Sequence, residues 1–262
     1  QIKKTEAERK LRATEQNTQQ TEVILREITP HLKFLRSQEK KQQERGVIEE
    51  ELRGRECGAG LDLSSKYDLT AFVMAFPDET RKKFTLLSRF WIPEDTAATY
   101  EKKYGIPFSV WARHNYITLT PGASVDYDLI ETSIQADSEK FGIRSVAYDP
   151  WNANATRTRL DAYGLQMVEF FQSLKNFNEP CKEFGRLIRE GLLNHGNHPV
   201  MNWNAESVEV FTDCSGNIRP VKPKDATCNK IDGIVASIMA LSTVMTSDET
   251  ISKYEREEML VL

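Results

Sequence analysis

The stretch Gly60-Leu61-Asp62-Leu63-Ser64-Ser65-Lys66-Tyr67-Asp68-Leu69-Thr70, continued by Ala71-Phe72-Val73-Met74-Ala75-Phe76, decides the fold. The pattern predicts a β-hairpin. Small and apolar residues lead into Asp62, a polar turn spans Ser64 to Asp68, and a β-rich return strand ends at Pro77-Asp78. An aspartate in a strand runs against β propensity. Once buried, its carboxylate needs partners, because an unpaired buried charge is very costly. A metal ion is one such partner; a cap formed by Asp62 on its own turn is the other reading.

The pattern recurs. Arg144-Ser145-Val146-Ala147-Tyr148-Asp149-Pro150 predicts a short apolar strand that ends in Asp149, with a proline that stops the ladder. Asn229 to Leu241 predicts an apolar helix with one acid, Asp232, near its first turn. The three acids lie 87 and 83 residues apart, so only a fold can join them. Clustered carboxylates repel unless a hard cation such as Mg2+ or Mn2+ neutralises them. Two such ions about 3.5–4 Å apart would stabilise the attacking and leaving oxygens of an in-line phosphodiester displacement.

Seven collinear segments then carry a resemblance: GLDLSSKYDLTAFVMAFPD, FWIPED, YITLTPGASVDYDLIE, YDPWNA, NHGNHPVMNW, GNIRPVKPK and KIDGIVASIMAL. Over residues 56–247 they resemble the nuclease domain of tailed-phage terminase large subunits of the HK97-like type. The resemblance implies an α/β, ribonuclease-H-like fold with a central mixed sheet flanked by helices. It implies a Mg2+- or Mn2+-dependent endonuclease that cuts concatemeric double-stranded viral DNA during packaging. Asp62, Asp149 and Asp232 match the acids that bind metal in such nucleases. The implied partners are double-stranded DNA, a terminase ATPase domain, the small terminase subunit and the portal, in the host cytoplasm. Two alternatives stay open: an inactive remnant or docking module of a packaging motor, or another ribonuclease-H-like nuclease such as a resolvase.

Composition sets outer bounds. The 262 residues are 39% hydrophobic, enough for a real core. No apolar run approaches a membrane span, and no signal-peptide core opens the chain. The four cysteines form no CxxC pair, so neither a zinc site nor a disulfide framework is expected. A net charge of −4 argues against a broadly basic surface, so duplex contacts must come from local patches or a partner. No G-x-x-x-x-G-K-[ST] occurs, and no ATP-driven motor is expected within these residues.

Residues 1–56 carry 13 Lys/Arg and 11 Glu but no Asp, against 22 Lys/Arg and 28 Asp/Glu in the remainder. That shift predicts a charged helical extension over 1–53, a nuclease domain over 54–248 and a tail over 249–262. Leu25, Ile28, Leu32 and Leu35 make a heptad seam of about two repeats. The wording of this extension resembles a coiled-coil arm of structural-maintenance-of-chromosomes proteins, and a solvated helix without function of its own is the alternative.

Between the acids the reading is coarser. A strand is predicted over Lys83 to Trp91 and a short helix from Pro93, with acids in its first turn. Phe108 to Thr120 is aromatic-rich: either a nucleotide-stacking platform or packing beneath a loop. An amphipathic helix from Asp126 to Phe141, with Gly142 as its C-cap, leads into the Asp149 strand by a crossover that implies parallel pairing. A short strand over Gln166 to Val168 and a helix from Asn178 to Gly191 follow. Lys182, Arg186 and Arg189 on that helix face either DNA or solvent. His195 and His198 sit in a tight turn, as proton shuttle, metal ligand or neither. Asn204 to Phe211 and Gly216 to Val221 predict a β-ribbon. Its basic neighbours Arg219, Lys222 and Lys224, together with Lys230, are candidate DNA contacts. Asn152 is either a phosphate or carboxylate contact or, like Asn154, a helix cap. Asp68 is either an additional metal ligand or a turn residue. Asp225 reads as a capping acid, with the last helix starting near Thr227 and Asn229 on the face of Asp232.

Overall fold

The structure is a computed structural model. It describes residue 47 and residues 49–64, 66–151, 153–224 and 228–259, with side chains as far as residue 245. The charged extension, apart from its last residues, lies outside the described residues, as do Asn152 and Asp225.

A short turn of helix, α1 (Glu49–Leu52), leads into β1 (Glu56–Asp62). β1 pairs antiparallel with β2 (Thr70–Pro77), and β2 pairs antiparallel with β3 (Phe84–Pro93). The predicted hairpin is therefore present, with Asp62 opposite Ala71, and Ala71 in turn opposite Phe90. Helices α2 (Glu94–Tyr104) and α3 (Phe108–Arg113) precede a short edge strand, β4 (Thr118–Thr120), parallel to β3. Then α4 (Tyr127–Lys140) crosses over to β5 (Gly142–Tyr148), which pairs parallel with β1 as the crossover reading requires. The chain continues through α5 (Asn154–Ala162), β6 (Met167–Glu169), α6 (Leu174–Arg189), β7 (Leu193–Asn194) and α7 (Pro199–Ser207). A separate two-stranded ribbon, β8 (Glu209–Thr212) with β9 (Ile218–Val221), precedes the long α8 (Asp232–Met259). The main sheet runs β4-β3-β2-β1-β5-β6, with β7 beside β3. It is a mixed sheet covered by helices on both faces.

The cover divides by side-chain parity. One face carries Ala71, Val73, Phe90 and Ala147 and is closed by α6, α7 and α8. The other carries Leu61, Phe72, Met74 and Tyr148 and is closed by α4 and α5. On that second face Arg89 donates from Nε and Nη2 to both carboxylate oxygens of Asp137, each at 2.9 Å, which ties β3 to α4. Among the described residues no helix is long and apolar enough to cross a membrane.

The central contact is between β1 and α8. A Cβ on Gly60 would lie 2.1 Å from the carbonyl oxygen of Ala236, and one on Gly58 2.0 Å from Oγ1 of Thr243. Glycine is present because the helix lies directly on the strand backbone.

Several boundaries differ from the sequence expectation, each for a local reason. Gly142 is no helix cap: Phe141 ends α4 in extended geometry, and Gly142 already pairs with Glu56. Helix α6 starts at Leu174 instead of Asn178, because Ser173 caps it by accepting from the backbone N–H of Asn176. Pro180 sits inside the helix. Residues 204–207 close helix α7, started by Pro199, so the ribbon begins only at Glu209. Helix α8 begins at Asp232 instead of near Thr227, which leaves Asn229 outside it and off the face of Asp232. The same helix continues to Met259, through much of the expected tail.

Gly60→Ala is expected to destabilise the domain by about 3 kcal/mol or more, since backbone cannot yield as a side chain can. Urea unfolding of both proteins measures it, and a loss below about 1 kcal/mol would contradict the packing described.

Candidate active site

Strand parity and the β1–α8 contact build the site together. Gly58, Gly60 and Asp62 share the face of β1 that α8 covers, so Asp62 ends that row beneath the first turn of the helix. In β5, Ala147 stands opposite Gly60 and is on the same face, and Asp149 follows two residues later, just beyond the strand end. Asp62 and Asp149 thus leave the adjoining ends of two parallel strands. Asp232 is the first residue of α8. The topology brings all three expected acids to one end of the sheet.

Asp62 keeps some exposure at the mouth of the site, but protein surrounds its other sides. Burial, then the negative charge of Asp232, pushes its carboxyl well above the usual carboxylate range. Asp149 adds to this, while Gln172 and Lys222 act against it. Asp232 is 8% exposed and its carboxyl is likewise pushed up, mainly by burial. Its Oδ2 is buried and has no hydrogen-bond donor among the described residues. The Nζ of Lys222 stands 4.0 Å from that oxygen, at ion-pair distance only. Asp149 Oδ1 accepts from the backbone N–H of Trp151, so Asp149 also closes its own turn.

Two repelling carboxylates, one with a buried unpartnered oxygen, suit a hard divalent cation. Among the described residues, however, no three His, Cys, Asp or Glu side chains stand close enough to hold a metal ion together. Asp232 and, more weakly, Asp149 act on Asp62 by charge, and Asp149 Oδ1 is engaged by its own turn.

The remaining candidates separate. Asp68 pairs with Lys230 at 2.5 Å and accepts from the N–H of Leu69 at 2.7 Å. Lys230 is itself buried, with Nζ 5.1 Å from the ring centre of Tyr100, so it is committed to the interior. Arg219 lies over the ring of Phe211 on the ribbon, and Lys224 is exposed beyond it. Lys182 and Arg186 are paired with acids of their own helix: Glu179 for Lys182, and Glu183 and Glu190 for Arg186. In the aromatic segment, Phe108 and Trp111 are buried and pack edge-on to each other and beside Trp203, so they are core. His198 packs against Phe90 and Tyr116, and burial pushes its pKa down to about 4. It is neutral near pH 7.

Two side chains in the site have roles the sequence did not signal. Gln172 donates from Nε2 to Asp62 Oδ1 at 3.1 Å. Asn204, fully buried on α7, accepts from the backbone N–H of Gly233 at 2.7 Å and donates to the Val200 carbonyl. It satisfies one of the orphan donors at the start of α8, next to Asp232. Polar residues separated from their partners by 110 and 29 positions leave no local signature.

This is the arrangement of a ribonuclease-H-like nuclease domain: a mixed sheet flanked by helices, with acids at the ends of two parallel strands and a third on the covering helix. The family described as "Terminase large subunit, endonuclease domain" matches residues 33–248, and the chain belongs to it. The large terminase subunit of Enterobacteria phage HK97 is 35% identical over 189 residues, covering 71% of this chain and 37% of that protein. Protein YmfN of Escherichia coli K12 is 30% identical over 226 residues, covering 83% of this chain and 48% of that protein. The crystal structure of the HK97 large terminase superposes with a TM-score of 0.68 at 33% identity, over 78% of this chain and 42% of that one. The chain therefore spans less than half the length of these relatives.

Asn204→Ala should cost about 1–3 kcal/mol, since it leaves the buried Gly233 N–H without an acceptor; chemical denaturation checks this against the Asn204→Asp variant, which keeps the acceptor. A second outcome concerns pH. The unfolded His198 pKa of about 6.5 exceeds the folded one, so the unfolded state binds more protons below pH 6.5, and stability falls as pH drops through that window. The stability advantage of wild type over His198→Gln should shrink by about 2 kcal/mol between pH 7 and pH 5; parallel unfolding curves would contradict it.

Proposed function

We propose that this domain is a divalent-metal-dependent endonuclease that hydrolyses phosphodiester bonds of double-stranded DNA, with Asp62, Asp149 and Asp232 holding one or two Mg2+ or Mn2+ ions. The observation that carries the reading is the buried, donorless Oδ2 of Asp232 beside the equally crowded carboxylate of Asp62. No protein cation resolves that repulsion at hydrogen-bond distance among the described residues. When bound, the metal neutralises the acids and lowers the pKa of a water for attack on phosphorus.

The residues of the chain have distinct parts in this reading. Asp62 and Asp232 form the fixed floor of the site, and Asp149 joins from the adjoining strand end. Lys222 lies near enough to Asp232 to meet a DNA phosphate at the mouth, and Arg219 and Lys224 extend that positive edge along the ribbon. Asp68 and Lys230 neutralise one another below the site and take no direct part. Contacts of this kind grip the phosphate backbone and carry little sequence reading. The wider setting of this reading, supported by the family membership, is the cutting of concatemeric viral DNA in the host cytoplasm, alongside a terminase ATPase domain, the small subunit and a portal.

The test is plasmid cleavage by the purified chain with Mn2+, Mg2+ or EDTA, beside Asp62→Asn and Asp232→Asn. Cleavage should require the metal and fall by about 100-fold or more in each variant, the scale of several kcal/mol of lost transition-state stabilisation. Both variants should keep the wild-type melting temperature or exceed it, because a repelling buried charge is gone. Wild-type activity that survives EDTA, or folded variants that cut as well as wild type, would reject the assignment.

A further inference from the structure

We propose that Gln172 is the positioning residue of the metal site: its side-chain amide holds one oxygen of Asp62 and thereby presents the other to a divalent cation. This rests on the reading of Asp62 and Asp232 as metal-binding acids.

Among the described residues, the amide of Gln172 is the side-chain donor to Asp62, Nε2 to Oδ1 at 3.1 Å across 110 positions of sequence. The backbone on both sides of Gln172 is tied down. Before it, the N–H of Phe170 donates to the carbonyl of Tyr148, which anchors the segment to β5 one residue ahead of Asp149. The carbonyl of Phe171 accepts from Asn176 Nδ2 at 3.0 Å and from the N–H of Ser173 at 2.7 Å. After it, Ser173 caps α6. A side chain on so constrained a segment reaches Asp62 along a set direction.

The chemistry of the donor matters as much as its place. Lysine or arginine here would neutralise Asp62 and compete with a metal for it. A neutral amide satisfies one oxygen and leaves the charge of the carboxylate in place for a cation. It also holds the group against the repulsion of Asp232, which would otherwise turn it toward solvent. Metal sites in general lose about 10–100-fold in affinity when such an outer hydrogen bond is removed.

Mn2+ binding to the whole chain, read from the EPR signal of free Mn2+, tests the proposal with wild type, Gln172→Met, Gln172→Ala and Asp232→Asn. Methionine keeps the length of glutamine without its donor, and alanine serves if methionine does not fit. Removal of the donor is expected to weaken Mn2+ binding about tenfold while the melting temperature in EDTA stays at the wild-type value, and saturating Mn2+ should restore plasmid cleavage. A residue that merely supports the fold would lower the melting temperature and would not be rescued by metal. Folded Gln172 variants that bind Mn2+ as wild type does, while Asp232→Asn does not, overturn the positioning role and leave the metal site standing. A wild-type chain that binds no Mn2+ overturns both.

Discussion

Everything at the active end of this domain depends on how closely α8 lies against β1. A side chain at Gly58 or Gly60 would occupy the space of Thr243 or of the Ala236 carbonyl. With hydrogen in that place, the helix rests on the strand backbone, and its first residue comes down beside the last residue of the strand. Asp232 and Asp62 become neighbours for that reason. The contact also buries Asp232 and leaves Asp62 partly exposed. Packing and electrostatics are set by the same two glycines.

The energetic consequence is a deliberate mismatch. Elsewhere in the domain, buried acids find close cationic partners: Asp137 takes a forked bond from Arg89, and Glu131 is bound by Arg159. Among the described residues Asp232 has only Lys222 at 4.0 Å as an ion-pair partner, while the nearby Lys230 is already paired with Asp68. Burial raises both carboxyls first; the charge of Asp232 adds to it at Asp62, and that of Asp68 at Asp232. A fold that pairs its other buried acids and leaves this pair wanting has kept a place for positive charge. The capping of α8 by Asn204 and the grip of Gln172 on Asp62 keep the two groups from relaxing apart.

The outer parts of the domain are less strained and more ordinary. The aromatic segment between α2 and β4 fills core space beside α7, and Lys182 and Arg186 of α6 are paired with nearby acids. Near the mouth, Lys222 stands 4.0 Å from Asp232, and Arg219 lies on the ribbon ahead of α8.

Local sequence patterns determined a good deal here. Apolar runs marked β1, β2 and β5, and the acids at the close of two strands stood out because aspartate runs against β propensity. The crossover from α4 to β5 implied parallel pairing. Element ends were less legible: α6, capped by Ser173, starts at Leu174 ahead of the expected Asn178, and α7, begun at Pro199, runs through residues 204–207 that read as ribbon. The tertiary structure alone decided that the start of α8 comes down beside the end of β1, so that Asp232 acts on Asp62. It also decided that Lys230 faces inward and that Gln172 and Asn204 serve the site. Those outcomes depend on distances between residues far apart in the chain. A one-dimensional pattern records the identity of a hydrogen-bonding side chain but not the partner that folding places within its reach.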